Sequence, residues 1–140
     1  MRVYCAGKWE EKERVRIVQD ILIADGHTIT FDWTRAEEAP PEGELRAHVL
    51  RAHAINDHWG VMTSDLYVGL FEKDLQYRGT FAEMGIAMGC GKPCIIIGSF
   101  AKRGVFSYHP LVLAWFTDIE DFRRHRVYKY GGEVRIKEVE

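Results

Sequence analysis

The chain lacks an excess of charge of either sign. Nineteen Lys and Arg stand against twenty-one Asp and Glu in 140 residues, a formal charge of −2. Proteins that follow a polyanion along its length carry a basic surplus on one face, so no nucleic-acid polymer is expected as a partner, although a small basic pocket for one phosphate remains compatible. No run approaches the roughly 20 apolar residues that a bilayer-spanning helix requires. The start, Met1-Arg2-Val3-Tyr4, enters a strand-like run at once, without the layout of a signal peptide. Cysteine is sparse and odd in number, Cys5, Cys90 and Cys94, which suits reduced thiols better than a disulfide framework. These absences give the expectation of a cytoplasmic protein with no membrane partner. Internal repeats and low-complexity tracts are missing as well, and 46% hydrophobic with 29% charged residues is the balance of an ordinary globular chain, so one domain over residues 1–140 is expected.

Several catalytic signatures are also missing. The first strand ends in Ala6-Gly7-Lys8-Trp9, not in a Gly-x-Gly-x-x-Gly turn, and Glu10, Glu11 and Glu13 already occupy the start of the next helix, where a pyrophosphate would have to sit. There is no Gly-x-Ser-x-Gly elbow and no Walker loop. His48, His53 and His58 recur every fifth residue, about 500° of helix rotation, so they fan around a helix instead of converging on a metal. Cys90 and Cys94 have no second ligand pair at usable spacing. Neither metal nor cofactor is expected.

What is present alternates between strand and helix. Residues 3–6 are a short apolar run. Residues 10–25 carry Val15, Val18 and Leu22 on one helical face, with Gly26 as the stop. Residues 28–33, β-branched and aromatic, predict a second strand, and residues 42–62 a long helix after the Pro40-Pro41 loop. The runs 66–71 and 93–98 are apolar without alternation, as strands covered on both faces are. A helix over 80–90 lies between them, a short fifth strand is predicted over 114–116, and Thr117-Asp118-Ile119-Glu120 predicts a capping box that opens a last helix. Gly131-Gly132, between residues 127–130 and 133–139, suggests a terminal hairpin or an arm towards a second subunit. This order predicts an α/β, doubly wound parallel sheet, with ligands bound beyond the carboxyl ends of its strands.

Three features near that edge carry chemistry. Glu83 falls in Arg78-Gly79-Thr80-Phe81-Ala82-Glu83-Met84-Gly85, where it is either the second half of a Thr80-x-x-Glu83 capping box or a carboxylate one turn inside a helix, available as a nucleophile. Asp57 ends the long helix, as a solvated residue or as the partner of Glu83 in a carboxylate pair that divides nucleophile and acid/base duties. Gly7 allows close approach of a small ligand and Trp9 offers an apolar wall, or the two are a tight turn and plain packing.

Taken together, Val3-Tyr4-Cys5-Ala6-Gly7-Lys8-Trp9, then Asn56-Asp57 ahead of Asp65-Leu66-Tyr67-Val68-Gly69-Leu70, then Gly79-Thr80-Phe81-Ala82-Glu83-Met84-Gly85-Ile86-Ala87 running on to Gly91-Lys92-Pro93, resemble the nucleoside 2-deoxyribosyltransferase family with its short, phage-like and nucleotide N-hydrolase relatives. The resemblance covers residues of about 2–122, leaving 123–140 as an arm or hairpin. It implies a flavodoxin- or Rossmann-like five-stranded parallel sheet with helices on both faces. It further implies cleavage or transfer of an N-glycosidic bond of a nucleoside or nucleotide through a glycosyl-Glu83 ester, with Asp57 moving a proton and Tyr4 positioning Glu83. Gly7, Trp9, Tyr77, Arg78, Gly79 and Thr80 would contact substrate. Tyr77 departs from the pattern: six residues before the nucleophile the transferases carry Asp and the nucleotide hydrolases Ser. Relatives complete their pockets with a neighbour's residues, so a homo-oligomer is expected, with Tyr128, Tyr130 and Val134 as the contact. The same fold also accommodates a non-catalytic nucleotide-sensing domain.

Overall fold

The computed structural model describes residues 1–125. The five expected strands form one sheet in the order β2-β1-β3-β4-β5, every neighbouring pair parallel. They are β1 (Arg2–Ala6), β2 (Thr28–Ile29), β3 (Leu66–Leu70), β4 (Cys94–Ile97) and β5 (Val112–Phe116). The helices are α1 (Lys12–Ala24), α2 (Glu44–Thr63), α3 (Arg78–Gly89) and α4 (Ile119–His125). Helices α1 and α4 touch on one face of the sheet, and α2 and α3 on the other. This is the doubly wound α/β arrangement. All five residues of β3 and all four of β4 are buried, which is why their sequences are apolar without alternation.

Strand order reverses between β1 and β3, so the crevice of the fold opens where the chain leaves these two strands. Gly98, just past β4, borders this edge at φ +115°; a Cβ there would lie 2.2 Å from the Phe71 backbone. Behind β1, Gly60 lets α2 settle directly on Tyr4. A Cβ at Gly60 would lie 2.9 Å from the Tyr4 ring and 2.9 Å from Phe31.

Two local expectations are corrected. The second strand stops after Ile29, not at Trp33. The Asp32 carboxylate accepts from the Thr34 backbone N–H at 3.1 Å and starts a single 3₁₀ turn, Trp33–Arg35, a local side-chain bond that outcompetes the β-branched preference of the segment. Trp33 turns inward and its indole N–H donates to the Cys5 carbonyl at 2.7 Å. The box before α4 forms one residue later than Thr117-x-x-Glu120: the Asp121 N–H donates to Asp118 Oδ1 at 2.7 Å, and the Thr117 N–H to Asp121 Oδ2 at 2.8 Å. The expected terminal hairpin, with Tyr128, Tyr130 and Val134, lies outside the described residues. Among those described, no helix is long and apolar enough to cross a membrane.

Replacing Gly60 by Ala forces α2 away from β1. The variant is expected to lose about 1–3 kcal/mol in urea unfolding, and unchanged stability would contradict this packing of α2 on Tyr4.

Candidate active site

Tyr4 is the third residue of β1 and is fully buried. Its side chain rises from the sheet face that α2 and α3 cover, which brings its hydroxyl between one carboxyl group from each helix. The Tyr4 hydroxyl donates to Glu83 Oε2, across 79 positions of sequence, and the Asp57 carboxyl lies close enough to act on both electrostatically. Glu83 and Asp57 are both half-buried, and Asp57 Oδ1 is a buried atom without a hydrogen-bond partner.

The capping-box alternative for Glu83 fails on geometry. Helix α3 begins at Arg78, with Tyr77 at its N-cap and no side-chain cap. Thr80 is therefore already inside the first turn. It is buried, and its carbonyl accepts from the Tyr67 hydroxyl at 2.7 Å. Glu83 lies a further turn in, and its carboxyl reaches back over the sheet to Tyr4.

This crowding governs the charges. Burial, chiefly, and then the nearby Asp57 push the Glu83 carboxyl up to about 8, against the opposing hydrogen bond from Tyr4. Burial also pushes Asp57 up to about 6, opposed by the positive charge of His53 and by Tyr4. The Tyr4 phenol is raised by burial and by both carboxylates, so it remains a donor. Near neutral pH the pair thus holds about one proton, and the two titrations belong to the pair.

Next to this cluster lies an open cleft of about 230 Å³, walled by residues 7–9 on one side and 76–80 on the other. Gly7, Trp9, Tyr77, Arg78, Gly79 and Thr80 are all in its lining, joined by Lys8 and Gln76. Tyr4, Asp57 and Glu83 are not; the cleft ends at Thr80, one helical turn before Glu83. Gly7 is also a packing position, since a Cβ there would meet Val15 Cγ2 at 2.5 Å.

Tyr77 is buried in the wall of the cleft and its hydroxyl is already engaged. The hydroxyl donates to Glu11 Oε1 at 2.5 Å and accepts from the Lys73 N–H at 3.0 Å. Lys8 Nζ donates to the Gln76 carbonyl at 2.9 Å, so the two walls are tied at the rim and beneath it. The start of α3 carries no acidic residue in its first turn, which leaves its backbone N–H groups facing an anion-favouring field. Among the described residues no group of three His, Cys, Asp or Glu side chains converges as a metal site.

No protein-family model matches the chain, and no curated protein matches it in sequence. Solved structures do match. The 2-deoxyribosyltransferase of Bacillus psychrosaccharolyticus superposes with a TM-score of 0.62 at 20% identity, over 88% of this chain and 90% of that one. The CMP N-glycosidase BcmB of Clostridium botulinum superposes with a TM-score of 0.58 at 15% identity, over 89% of this chain and 96% of that one. The chain shares their fold.

Lys8, Gln76, Glu11 and His53 are residues of this region to which the sequence assigned no place in the site. Lys8 lies inside the turn already marked by Gly7 and Trp9, and His53 stands four positions before Asp57 on the same helix, so both had a local signal. The Glu11–Tyr77 bond joins distant segments and had none.

A buried carboxyl with a raised pKa costs stability as pH rises. The unfolded Glu83 releases its proton near the ordinary value of 4.5 while the folded one keeps it up to about 8, so folding weakens through that window and stays weakened above it. Glu83→Gln removes this dependence. The stability of the variant relative to wild type should rise between about pH 4.5 and 8 and then level off, as read by urea unfolding across pH. A pH-independent difference would contradict the burial of this carboxyl.

Proposed function

We propose that the protein cleaves the N-glycosidic bond of a nucleoside 5′-monophosphate, releasing the base to solvent or exchanging it for another. The observation that carries this reading is the Tyr4 hydroxyl donating to Glu83, with Asp57 near enough to raise the Glu83 carboxyl and both acids half-buried, beside an open cleft, on a fold shared with a deoxyribosyltransferase and a CMP N-glycosidase. Glu83, ionised, attacks C1′ of the sugar. The C1′–N bond breaks, its electron pair leaves with the base, and Asp57 gives the base nitrogen a proton. The product is a glycosyl-Glu83 ester, formed through an oxocarbenium-like transition state that the adjacent carboxylate stabilises. Water or a second base then attacks C1′, Asp57 takes up the displaced proton, and Glu83 leaves as carboxylate.

Tyr4 supports the nucleophile by donating to Glu83 Oε2, which favours the anion on the residue that needs it. Trp9 would wall the base. Lys8, Arg78 and the N–H groups at the start of α3 supply positive field to the cleft, and this favours a 5′-phosphate over a free 5′-hydroxyl. The position held by Asp or Ser in the resembling family cannot help here, because the Tyr77 hydroxyl is spent on Glu11.

Self-association is part of the same proposal. Helix α2 leaves Leu45, Ile55, Trp59 and Met62 exposed, an apolar stripe that a second copy would cover. Sedimentation is expected to show an oligomer; a monomer that keeps full activity on dilution would contradict it.

Incubation with AMP, CMP, GMP and UMP, their deoxy counterparts and the free nucleosides should release free base, faster from the monophosphates, as read by chromatography. Glu83→Gln should lower the rate by about a thousandfold or more while the protein stays folded. Asp57→Asn should slow it least for substrates with the best leaving groups. Tight binding without base release by wild type would favour the nucleotide-sensing alternative.

The productive form needs one proton on the pair, so kcat/KM should be bell-shaped, with limbs near about 6 and about 8. A flat profile over that range would contradict the shared-proton account.

A further inference from the structure

Glu11 belongs to neither the carboxylate pair nor the cleft lining, yet it is bonded to both walls of the cleft. It closes the 3₁₀ turn Trp9–Glu11 that follows β1, and it is only 2% exposed. Its N–H donates to the Lys8 carbonyl at 2.8 Å, within the turn that forms one wall. Its carboxylate meets the other wall: Oε1 accepts from the Tyr77 hydroxyl at 2.5 Å, and Oε2 is a buried atom without a hydrogen-bond partner. An acid withdrawn from water with one oxygen unmatched costs stability. Packing alone therefore gives no reason for a carboxylate here.

Tyr77, the partner of Glu11, organises the chain between β3 and α3. Its buried ring packs edge-on against Phe71 at the start of that connection, with centroids 5.1 Å apart and planes at 62°. Its hydroxyl accepts from the Lys73 N–H at 3.0 Å in the middle. At the end Tyr77 is itself the N-cap of α3, and its carbonyl accepts from the Phe81 N–H at 2.9 Å. The N–H groups of Arg78, Gly79 and Thr80 precede that bond and have no side-chain cap, and all three residues line the cleft. Further ties hold the connection nearer the surface: Lys8 Nζ to the Gln76 carbonyl at 2.9 Å, Arg103 to Asp74 at 2.6 Å and Arg14 to Glu72 at 2.9 Å. The Glu11–Tyr77 bond, unlike these, is buried.

We propose that Glu11 is a positioning residue for phosphate recognition: through the Tyr77 hydroxyl it fixes the connection from β3 and holds the uncapped N–H groups of residues 78–80 in place for the 5′-phosphate of the substrate. The proposal rests on the nucleoside monophosphate reading above for its ligand, not for its geometry. Donors held in advance bind an anion without first being ordered. What Glu11 contributes is an acceptor for one hydroxyl, so glutamine can replace it and an apolar side chain cannot.

Four variants test this: Glu11→Gln, Glu11→Leu, Tyr77→Phe and the double variant Glu11→Leu/Tyr77→Phe. Affinities for AMP, CMP, GMP and UMP and for the matching nucleosides are read by tryptophan fluorescence, and amide exchange by NMR, neither of which requires turnover. Monophosphate affinity should weaken about threefold to tenfold in Glu11→Leu, Tyr77→Phe and the double variant, and stay within about twofold in Glu11→Gln. Nucleoside affinity should stay within about twofold in all four. The double variant removes the buried acid together with its partner, so it should melt above Tyr77→Phe without regaining monophosphate affinity; a merely structural bond would return both together. The Lys73 amide should exchange at least about tenfold faster in Tyr77→Phe and at the wild-type rate in Glu11→Gln. Wild-type monophosphate affinity in the double variant, equal losses for nucleosides and monophosphates, a Glu11→Gln variant as weak as Glu11→Leu, or an unchanged Lys73 amide in Tyr77→Phe each overturns the proposal. So does a wild type that binds monophosphates no better than nucleosides. Failure of wild type to release base, with affinities and exchange as stated, removes the N-glycosidic reading and leaves the positioning role of Glu11 standing.

Discussion

One phenolic hydroxyl, that of Tyr4 on β1, donates to Glu83 beside a second acid, Asp57, and the fold withdraws both carboxyl groups in part from water. Two carboxylates this close repel each other, and burial penalises both, so the cluster settles near neutral pH with one proton for two acids. Much of the surrounding structure serves this arrangement. β3, buried throughout, and β1, buried from Val3 to Ala6, provide the floor, Gly60 lets α2 sit close enough to bring Asp57 over Tyr4, and α3 begins early enough for Glu83 to fall above the sheet. The doubly wound topology does the rest by placing the chain ends of β1 and β3 side by side at the open edge.

A proton-sharing pair has a direct chemical consequence. Displacement at an anomeric carbon needs a carboxylate on one side and a proton for the leaving base on the other, and a singly protonated pair can supply both. Burial favours the proton on Glu83, the wrong member for attack, since its carboxyl is raised to about 8 and that of Asp57 only to about 6. The Tyr4 hydrogen bond opposes this by favouring the Glu83 anion. In the proposed function the balance between these two influences decides how much of the protein is poised to react.

The strands were legible because their physics is local. The runs at 66–70 and 94–97 are apolar without alternation, the pattern that burial on both faces requires, and parallel pairing follows from the helices between them. The expectation failed where a single side chain redirected the backbone. Asp32 ends the second strand by binding the Thr34 N–H, and Asp118 with Asp121 moves the last cap by one residue. Thr80 and Glu83 have the spacing of a capping box, but spacing cannot tell that α3 starts at Arg78, and only the start of the helix decides between a cap and an interior residue. Glu83 and Asp57 stand out by their positions in the sequence and Tyr4 only through the family resemblance; that the three come together depends on topology. The bond between Tyr77 and Glu11 joins two walls of the cleft from positions far apart and leaves no trace in the pattern of either segment.

The central claim is that the Glu83 carboxyl forms a bond to the sugar. The most direct measurement is mass spectrometry of peptides after incubation with a 2′-fluoro nucleotide analogue, whose electron-withdrawing substituent slows breakdown of a glycosyl ester. The account predicts a fluoroglycosyl adduct on the peptide containing Glu83, absent from Glu83→Gln. An adduct on another residue, or none while the analogue is consumed and its base released in step with protein, would contradict it.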